Sequence, residues 1–539
     1  MEGMFMRGAD LVARTLADAG VRTIFTLSGN QIMPIFDACI DVDIRLIHTR
    51  HEAAAVYMAD AWAQVMGEVG VALITAAPGF ANALSPLFSA RAAESPVVLL
   101  SGDSPVSQDG MGAFQELSQA DISAPLTKAA FRAGSAEGLG HDIAKAIRVA
   151  RSGRPGPVHL ALPFDLLNAD VANADLPAPG AFDADVSAAS PVAVQSIVQA
   201  LAKAARPIIV TGPAMNRSRA GKMIDALADA VDAPVIPMES PRGLKDPSLG
   251  AFAEVLGQAD LVVSLGKSID FTVGFGQTPA FDLACRFCVV DPETDALERA
   301  RRSLGERLLV AERADAESTA QALTDAGKSA GRSAWREEVA LAIAFRETGV
   351  SAAGDKIPSW ELCEAVQRAL DAADDPILVA DGGEFGQWAQ AFASASTRVI
   401  NGPSGAIGGG LCYAIAAKVA RPDATVIAMM GDGTIGFHFS ELDTAVRAGA
   451  GIVAVVGNDA RWNAEHLIQI RDYGEQRLIG CELNPTRYDL AAAGLGCHGE
   501  HVEAAADLDA AFERAVASAE PTCMNVDIEG FGAPNFVRS

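Results

Sequence analysis

Two acidic residues at the ends of strand-like runs are the strongest chemical signal in this 539-residue chain. The apolar run TVIAMM ends in Gly431, Asp432 and Gly433; ELDTAVRAG then reads as a helix, and GIVAVV as a further strand ending in Gly457, Asn458 and Asp459. A right-handed crossover between parallel neighbours brings both carboxylates to the carboxyl ends of adjacent strands. A hard cation fits such a pair: magnesium takes oxygen ligands at about 2.0 to 2.1 Å and completes its shell with phosphate and water. The glycines flanking Asp432 remove side chains, so backbone N–H groups can reach phosphate oxygens. The unit reads as a clamp for a metal-bound diphosphate.

The stretch GDGTIGFHFSELDTAVRAGAGIVAVVGND is similar to the GDG-to-NN signature of thiamine diphosphate enzymes, specifically the acetolactate synthase-like superfamily. The resemblance implies Mg2+ held by Asp432, Asp459 and the carbonyl of Arg461, with Gly431, Gly433 and Thr434 beside the diphosphate. It departs at Asp459, where Asn is common. Earlier, IRLIHTRHEAAAVYMADAWAQ resembles the family's strand, His-Glu and small-residue helix, which puts Glu52 in the activating position. There it must be buried and able to hold or share a proton with the aminopyrimidine ring, promoting the thiazolium ylid. TAAPGFANAL places Pro78, Gly79 and Asn82 near the pyrimidine, and GAFQELSQAD turns Gln115 to the reacting centre. DGGEFGQWAQ offers Glu384 and Phe385 to the diphosphate through backbone groups, and PSGAIGGGL supplies the backbone of Gly405 and the propping side chain of Ile407.

What the resemblance implies about chemistry is addition of the cofactor to a carbonyl, cleavage of a carbon–carbon bond, and an enamine that is protonated or attacks an acceptor. Asn30, Gln31, Gln115, Trp462, Asn463, Ala464, Glu465 and His466 are candidate pocket residues; Asn30, Gln31, Gln115 and Glu465 join Glu52 as candidate catalytic groups. The paired histidines of simple pyruvate decarboxylases are missing. LGKSIDFTVGFG and VVGNDARW look more like 2-hydroxyacyl-CoA lyase-type members, which cleave a 2-hydroxyacyl-CoA to an aldehyde and formyl-CoA or run the reverse condensation. The alternative is an acetolactate synthase-like carboligase that decarboxylates a 2-oxo acid, and a third reading is a noncatalytic cofactor-binding subunit. Arg217, Arg219 and Lys222 could hold a CoA phosphate, although a solvated helix start accounts for them as well. A flavin in the middle of the chain is left undecided. The family's site lies between two chains, which implies a homo-oligomer.

Elements must carry these turns. Short apolar runs (RTIFTL, VGVALIT, SPVVLLSG, PIIVTG, LVVSLG, DPILVAD) alternate with Ala-rich amphipathic stretches, the pattern of parallel sheets wrapped by helices. The chain reads as an α/β protein of three doubly wound parallel-sheet domains: 1–168 for the pyrimidine, a central 192–323, and 357–539 for the diphosphate and metal. Linkers rich in Ala, Asp, Pro, Gly and Ser are expected over 168–191 and 324–356. Forty-two basic against 68 acidic residues give a formal charge of −26, which repels nucleic acid and anionic lipid. No apolar run approaches the roughly 20 residues of a membrane span. Eight cysteines are too sparse for a disulfide framework, CxxC at Cys285 and Cys288 has no second pair at zinc spacing, and no leader is legible. A cytoplasmic protein acting on a small-molecule substrate is expected.

Overall fold

The computed structural model describes residues 6–172, 176–327, 331–352 and 354–538. Three all-parallel sheets follow one another along the chain. The first holds β1 (Thr23–Thr26), β2 (Arg45–His48), β3 (Gly70–Ile74), β4 (Val97–Asp103), β5 (Ala129–Arg132) and β6 (Val158–Pro163), in the order β2-β1-β3-β4-β6-β5. The central sheet holds β7 (Pro207–Thr211), β8 (Val235–Pro237), β9 (Leu261–Leu265), β10 (Arg286–Val290) and β11 (Leu308–Glu312), in the order β8-β7-β9-β10-β11. The third holds β12 (Pro376–Asp381), β13 (Thr397–Asn401), β14 (Thr425–Gly431), β15 (Val453–Asn458), β16 (His498–Val502) and β17 (Thr522–Asp527), in the order β13-β12-β14-β15-β17-β16. This is the expected three-sheet α/β architecture. Strands such as β4 are buried along their whole length because helices cover both faces, so they are near-continuous apolar runs without alternation.

Five helices matter for the site: α1 (Glu52–Met66), α2 (Glu384–Phe392), α3 (Gly410–Ala420), α4 (Glu441–Ala448) and α5 (Asn463–Tyr473). Alanines on α1 and α3 let the two helices pack closely, and one hydrophobic core runs through both outer units. Tyr57 and Tyr413 meet edge to face at 5.7 Å, and the Tyr413 hydroxyl donates to the buried Asp60 at 2.5 Å. The central unit is tied to the first by Arg154, which pairs with Glu94 and, at 2.6 Å, with Asp291.

The second expected linker is not unstructured. A helix spans Ser333–Ala344, with Trp335, Val339 and Ala342 buried in the central core and the Trp335 ring nitrogen donating to the Pro207 carbonyl at 2.9 Å. Those three positions fall on one helical face, a periodicity masked by the Ser, Gly and Asp residues around it. Residues 173–175, 328–330 and 353, within the two expected linkers, lie outside the described residues, as does Ser539 of the third expected domain.

Candidate active site

β14 and β15 pair in parallel with Gly431 opposite Gly457, so Asp432 and Asp459 leave the sheet side by side at its carboxyl edge. Both line a cavity of about 260 Å³. Its walls come from four strand ends of the C-terminal unit: Gly382–Phe385, Gly402 with Gly405–Ile407, Gly431–Thr434, and Gly457 with Asp459 and 461–465. The sequence-predicted Glu384, Phe385, Gly405, Ile407, Gly431, Asp432, Gly433, Thr434, Asp459, Arg461 and Glu465 therefore share one cavity. Close packing explains the glycine at 433: a Cβ there would lie 2.6 Å from the Trp462 ring. Gly382 has φ +111°, a conformation side chains rarely adopt, and a Cβ would meet the Thr434 hydroxyl at 2.6 Å.

The electrostatics of this cavity suit a cation. Burial raises the Asp432 carboxyl, and one of its oxygens, Oδ2, is buried without a hydrogen-bond partner. Burial raises Asp459 as well, and the neighbouring Asp432 charge raises it further. An orphaned carboxylate oxygen beside a second carboxylate is the donor set a divalent cation satisfies. The helices α2 and α5 begin at the same cavity, where their free N–H groups favour anionic oxygen. Glu384 Oε2 accepts the Ala533 N–H at 2.5 Å, which engages one carboxylate oxygen with the chain's C-terminal segment.

Three contributors went unread in the sequence. Asp381, fully buried at the end of β12, accepts from Gly408 N at 3.0 Å, Gly410 N at 2.6 Å and Asn401 Nδ2 at 2.9 Å, and so fixes the turn that carries Gly405 and Ile407. Burial pushes its carboxyl up to about 7. The central unit contributes Ser240, Pro241 and Arg242 to the cavity wall. Thr75 organises the N-terminal group described next. Each takes its role only once distant chain folds onto it.

In the N-terminal unit, Glu52 opens α1, with His51 as its N-cap accepting the Ala53 N–H at 3.1 Å. Asn82 Nδ2 donates to Glu52 Oε2 at 3.0 Å, and a Cβ on Gly79 would lie 3.2 Å from Glu52 Oε1. Pro78 starts the short helix carrying both. Thr75 Oγ1 donates to Gln31 Oε1 at 2.9 Å, and Gln31 Nε2 donates to Gln115 Oε1 at 2.7 Å. Glu52, Pro78, Gly79, Asn82, Gln31 and Gln115 thus gather at one carboxyl sheet edge, while Asn30 is exposed beside them. Glu52 is only half-buried, short of the burial expected for it, because the cavity holding Asp432 is walled by the central and C-terminal units.

Elsewhere, Arg219 is neither a solvated helix-start residue nor open to a CoA phosphate. Its guanidinium donates to the carbonyls of Ala93 at 2.9 Å and Glu94 at 3.2 Å and to Ser95 Oγ at 3.1 Å, locking the central unit to the first. Arg217 is exposed and pairs with Asp225. Cys285 and Cys288 are buried thiols, pushed up to about 12 by that burial. Among the described residues no helix is long and apolar enough to cross a membrane.

Comparison with known proteins bears on the whole chain. Residues 6–122 match the thiamine pyrophosphate enzyme N-terminal TPP binding domain, 194–323 its central domain and 381–526 its C-terminal TPP binding domain. The chain is 33% identical over 534 residues to the acetolactate synthase large subunit IlvG of Mycobacterium tuberculosis, covering 97% of this chain and 95% of that protein. It is 30% identical over 546 residues to human 2-hydroxyacyl-CoA lyase 2, covering 91% of this chain and 84% of that protein. Three matched domains in order, on three sheets whose turns carry the expected residues, have one reading: the chain belongs to the thiamine diphosphate-dependent enzymes of the acetolactate synthase-like superfamily.

Proposed function

We propose that this enzyme is a thiamine diphosphate- and Mg2+-dependent carbon–carbon lyase and carboligase of the 2-hydroxyacyl-CoA lyase type. Asp432, Asp459 and the carbonyl of Arg461 would hold the metal, and Gly382–Phe385 with Gly431–Thr434 would cradle the diphosphate. When bound, the cofactor supplies a nucleophilic carbon that adds to carbonyls and a ring that accepts the electron pair of the broken bond. Glu52 would meet the pyrimidine ring as the proton-exchanging group, with Asn82 orienting its carboxyl. Ile407 would support the cofactor from the cavity wall, and Gln31, Gln115 and Glu465 would face the substrate. Because Glu52 stands outside the wall of the metal cavity, the complete site takes Glu52 from a second copy of the chain, which makes the enzyme a homo-oligomer. Eight free, buried cysteines support a cytoplasmic setting.

One observation carries the CoA reading. The metal cavity shares Ser240 and Pro241 with a crevice of about 620 Å³ between the N-terminal and central units, whose walls include Arg91, Lys267 and Arg299 among mixed charges. An extended substrate has room in this crevice, where Arg91 and Arg299 offer cations among five carboxylates, whereas pyruvate has no use for the space. The acetolactate synthase-like alternative draws its support from the 33% relatives. The enzyme is supplied with a 2-hydroxyacyl-CoA or with pyruvate and the products identified. Aldehyde plus formyl-CoA is expected; acetolactate from pyruvate alone would reverse the assignment. Visible absorbance of purified protein reports whether a flavin claims the crevice instead.

A further inference from the structure

We propose that Glu441, in the C-terminal unit, is a positioning residue for Glu52 of its own chain, setting the turn that carries the activating carboxylate. The inference rests on the reading of a site shared between two copies, and adds a residue that this reading does not use. Glu441 is the first residue of α4 and is fully buried. Its carboxylate reaches across the boundary between the outer units and accepts the Arg50 N–H with both oxygens, at 3.0 and 3.1 Å. Thr444 Oγ1 donates to Oε2 at 2.6 Å, and the His51 N–H faces the same carboxylate. Arg50 and His51 are the two residues before Glu52, so the backbone that aims Glu52 is held by a side chain about 390 positions away in sequence.

The rest of the contact is built in the same sense. Arg45 donates to the Ala448 carbonyl at the far end of α4 at 2.8 Å, and Arg50 lies 3.6 Å from Asp443. Nine residues before Glu441 stands Asp432, and between them His438 Nδ1 bonds to the Gly408 carbonyl at 2.7 Å with its ring edge-on to His51 at 6.0 Å. Segment 432–441 therefore starts at the chain's own metal turn and ends on the turn that offers Glu52 to the other copy's cofactor. Truncating Glu441 leaves the Arg50 N–H unpaired at an interface, and it can recover a partner only if the Arg50–Glu52 turn moves. A displacement of about 1 Å at a catalytic group is enough to cost orders of magnitude in rate.

Mixed oligomers separate the two possible roles of Glu441. Variants carrying two different affinity tags are co-expressed and heterodimers purified. If Glu441 acts through Glu52, a heterodimer of Glu441→Ala with Asp432→Ala keeps one intact site and regains about half of wild-type activity, although each homodimer is inactive or nearly so. Glu441→Ala with Glu52→Gln regains nothing, since both lesions then spoil the N-terminal half of a site. If Glu441 served its own chain's diphosphate cavity, the heterodimer with Asp432→Ala would stay inactive, which overturns the inference. Glu52→Gln with Asp432→Ala is the reference: its failure to complement would reject the shared site itself.

Amide exchange of the cofactor-free chain gives a readout independent of turnover. Residues 49–53 are expected to exchange at least about 10-fold faster in Glu441→Ala, with peptides around β14 unchanged, and Glu441→Gln, which keeps an acceptor oxygen, to fall between. Unchanged exchange at Arg50 and His51 in both variants overturns the inference whatever the activities. Should Glu441→Ala fail to fold, Glu441→Gln carries both measurements.

Discussion

The first and third units are the same scaffold equipped for opposite tasks. Both have six parallel strands in the same spatial order, second, first, third, fourth, sixth, fifth, and the helices that follow their second strands, α1 and α3, pack against each other. After the third strand the C-terminal unit places Gly431, Asp432 and Gly433, where the N-terminal unit places 75–79. After the second strand the N-terminal unit has His51 and Glu52, where the C-terminal unit has the Gly402–Gly410 turn. One unit therefore sets acids and glycines at its strand ends, groups suited to a cation and phosphate oxygens. The other gathers amides and the carboxyl of Glu52, with Gln31, Gln115 and Asn82 beside it, groups suited to protons and neutral polar atoms, while the carboxyl of Asp103 at the end of β4 is tied to Arg132. Each even keeps a non-glycine residue at positive φ on a functional turn, Ala77 at 44° and Ala460 at 57°. Local strain of that kind is retained where geometry matters. The carboxyl edge of the sheet sets where ligands go, and the turn residues set which half of a ligand each unit takes.

The sharpest way to break this division is to remove one carboxyl from each side. Asp432→Ala should abolish cofactor retention on a desalting column, weakening binding at least about 100-fold because the metal loses a ligand. Glu52→Gln should keep cofactor within about 10-fold while losing turnover and slowing hydrogen–deuterium exchange at the cofactor's reactive carbon. If both variants lost cofactor equally, or if Glu52→Gln exchanged at the wild-type rate, the two units would not be dividing the work as proposed.

How far this division could be read in advance depends on the range of the interactions behind it. TVIAMM and GIVAVV announce β14 and β15 because fully buried parallel strands are written as short apolar runs, and the pairing of Gly431 with Gly457 then puts Asp432 and Asp459 together. HEAAAVYMADAWAQ is legible as α1 because an Ala-rich run without Gly or Pro favours helix. Asp381 looks like any turn residue until the loop 20 to 29 positions later folds onto it. Arg219 reads as solvated in NRSRAGK, yet its partners at Ala93–Ser95 are about 125 residues away. Ser240, Pro241 and Arg242 reach the cavity only through docking of the central unit. Local pattern reveals elements and their turns, whereas contacts between units leave no periodic trace.

The two units should also differ in the sign of their response to pH. His159, fully buried on β6, hydrogen-bonds to Ser101 at 2.8 Å and Ser123 at 2.7 Å and stacks on Phe80, and burial pushes it down to about 3. The unfolded chain, with histidine near 6.5, takes up a proton that the folded chain refuses. The N-terminal unit thus loses stability as pH falls below about 6.5, by up to about 1.4 kcal/mol per pH unit. Asp381, held up to about 7, works the other way: its folded form keeps a proton that the unfolded carboxyl, near 3.9, gives up, so its contribution is complete below about 3.9 and lost as pH rises through about 7. Thermal unfolding and unit-resolved amide exchange between about pH 5 and 7.5 should show His159→Asn flattening the acid-side loss and Asp381→Asn flattening the rise-side loss. Identical profiles for the two variants would remove this contrast.

The smallest expected effect tests whether the N-terminal amides belong to the substrate or to the cofactor. Gln31 is buried, accepts from Thr75 and donates to Gln115, a residue held at φ 61°. Gln31→Ala removes one hydrogen bond from each neighbour and frees Gln115 to leave that conformation, a loss on the order of 1 kcal/mol, or about fivefold. Because neither Asp432 nor Glu52 loses a partner, cofactor retention and the exchange rate at its reactive carbon should stay at wild-type values, and the loss should appear in KM. A matching fall in cofactor retention would mean that Gln31 supports the ring-binding wall, and the boundary between the amides that hold cofactor and those that hold substrate would shift from Asn82 to Gln31.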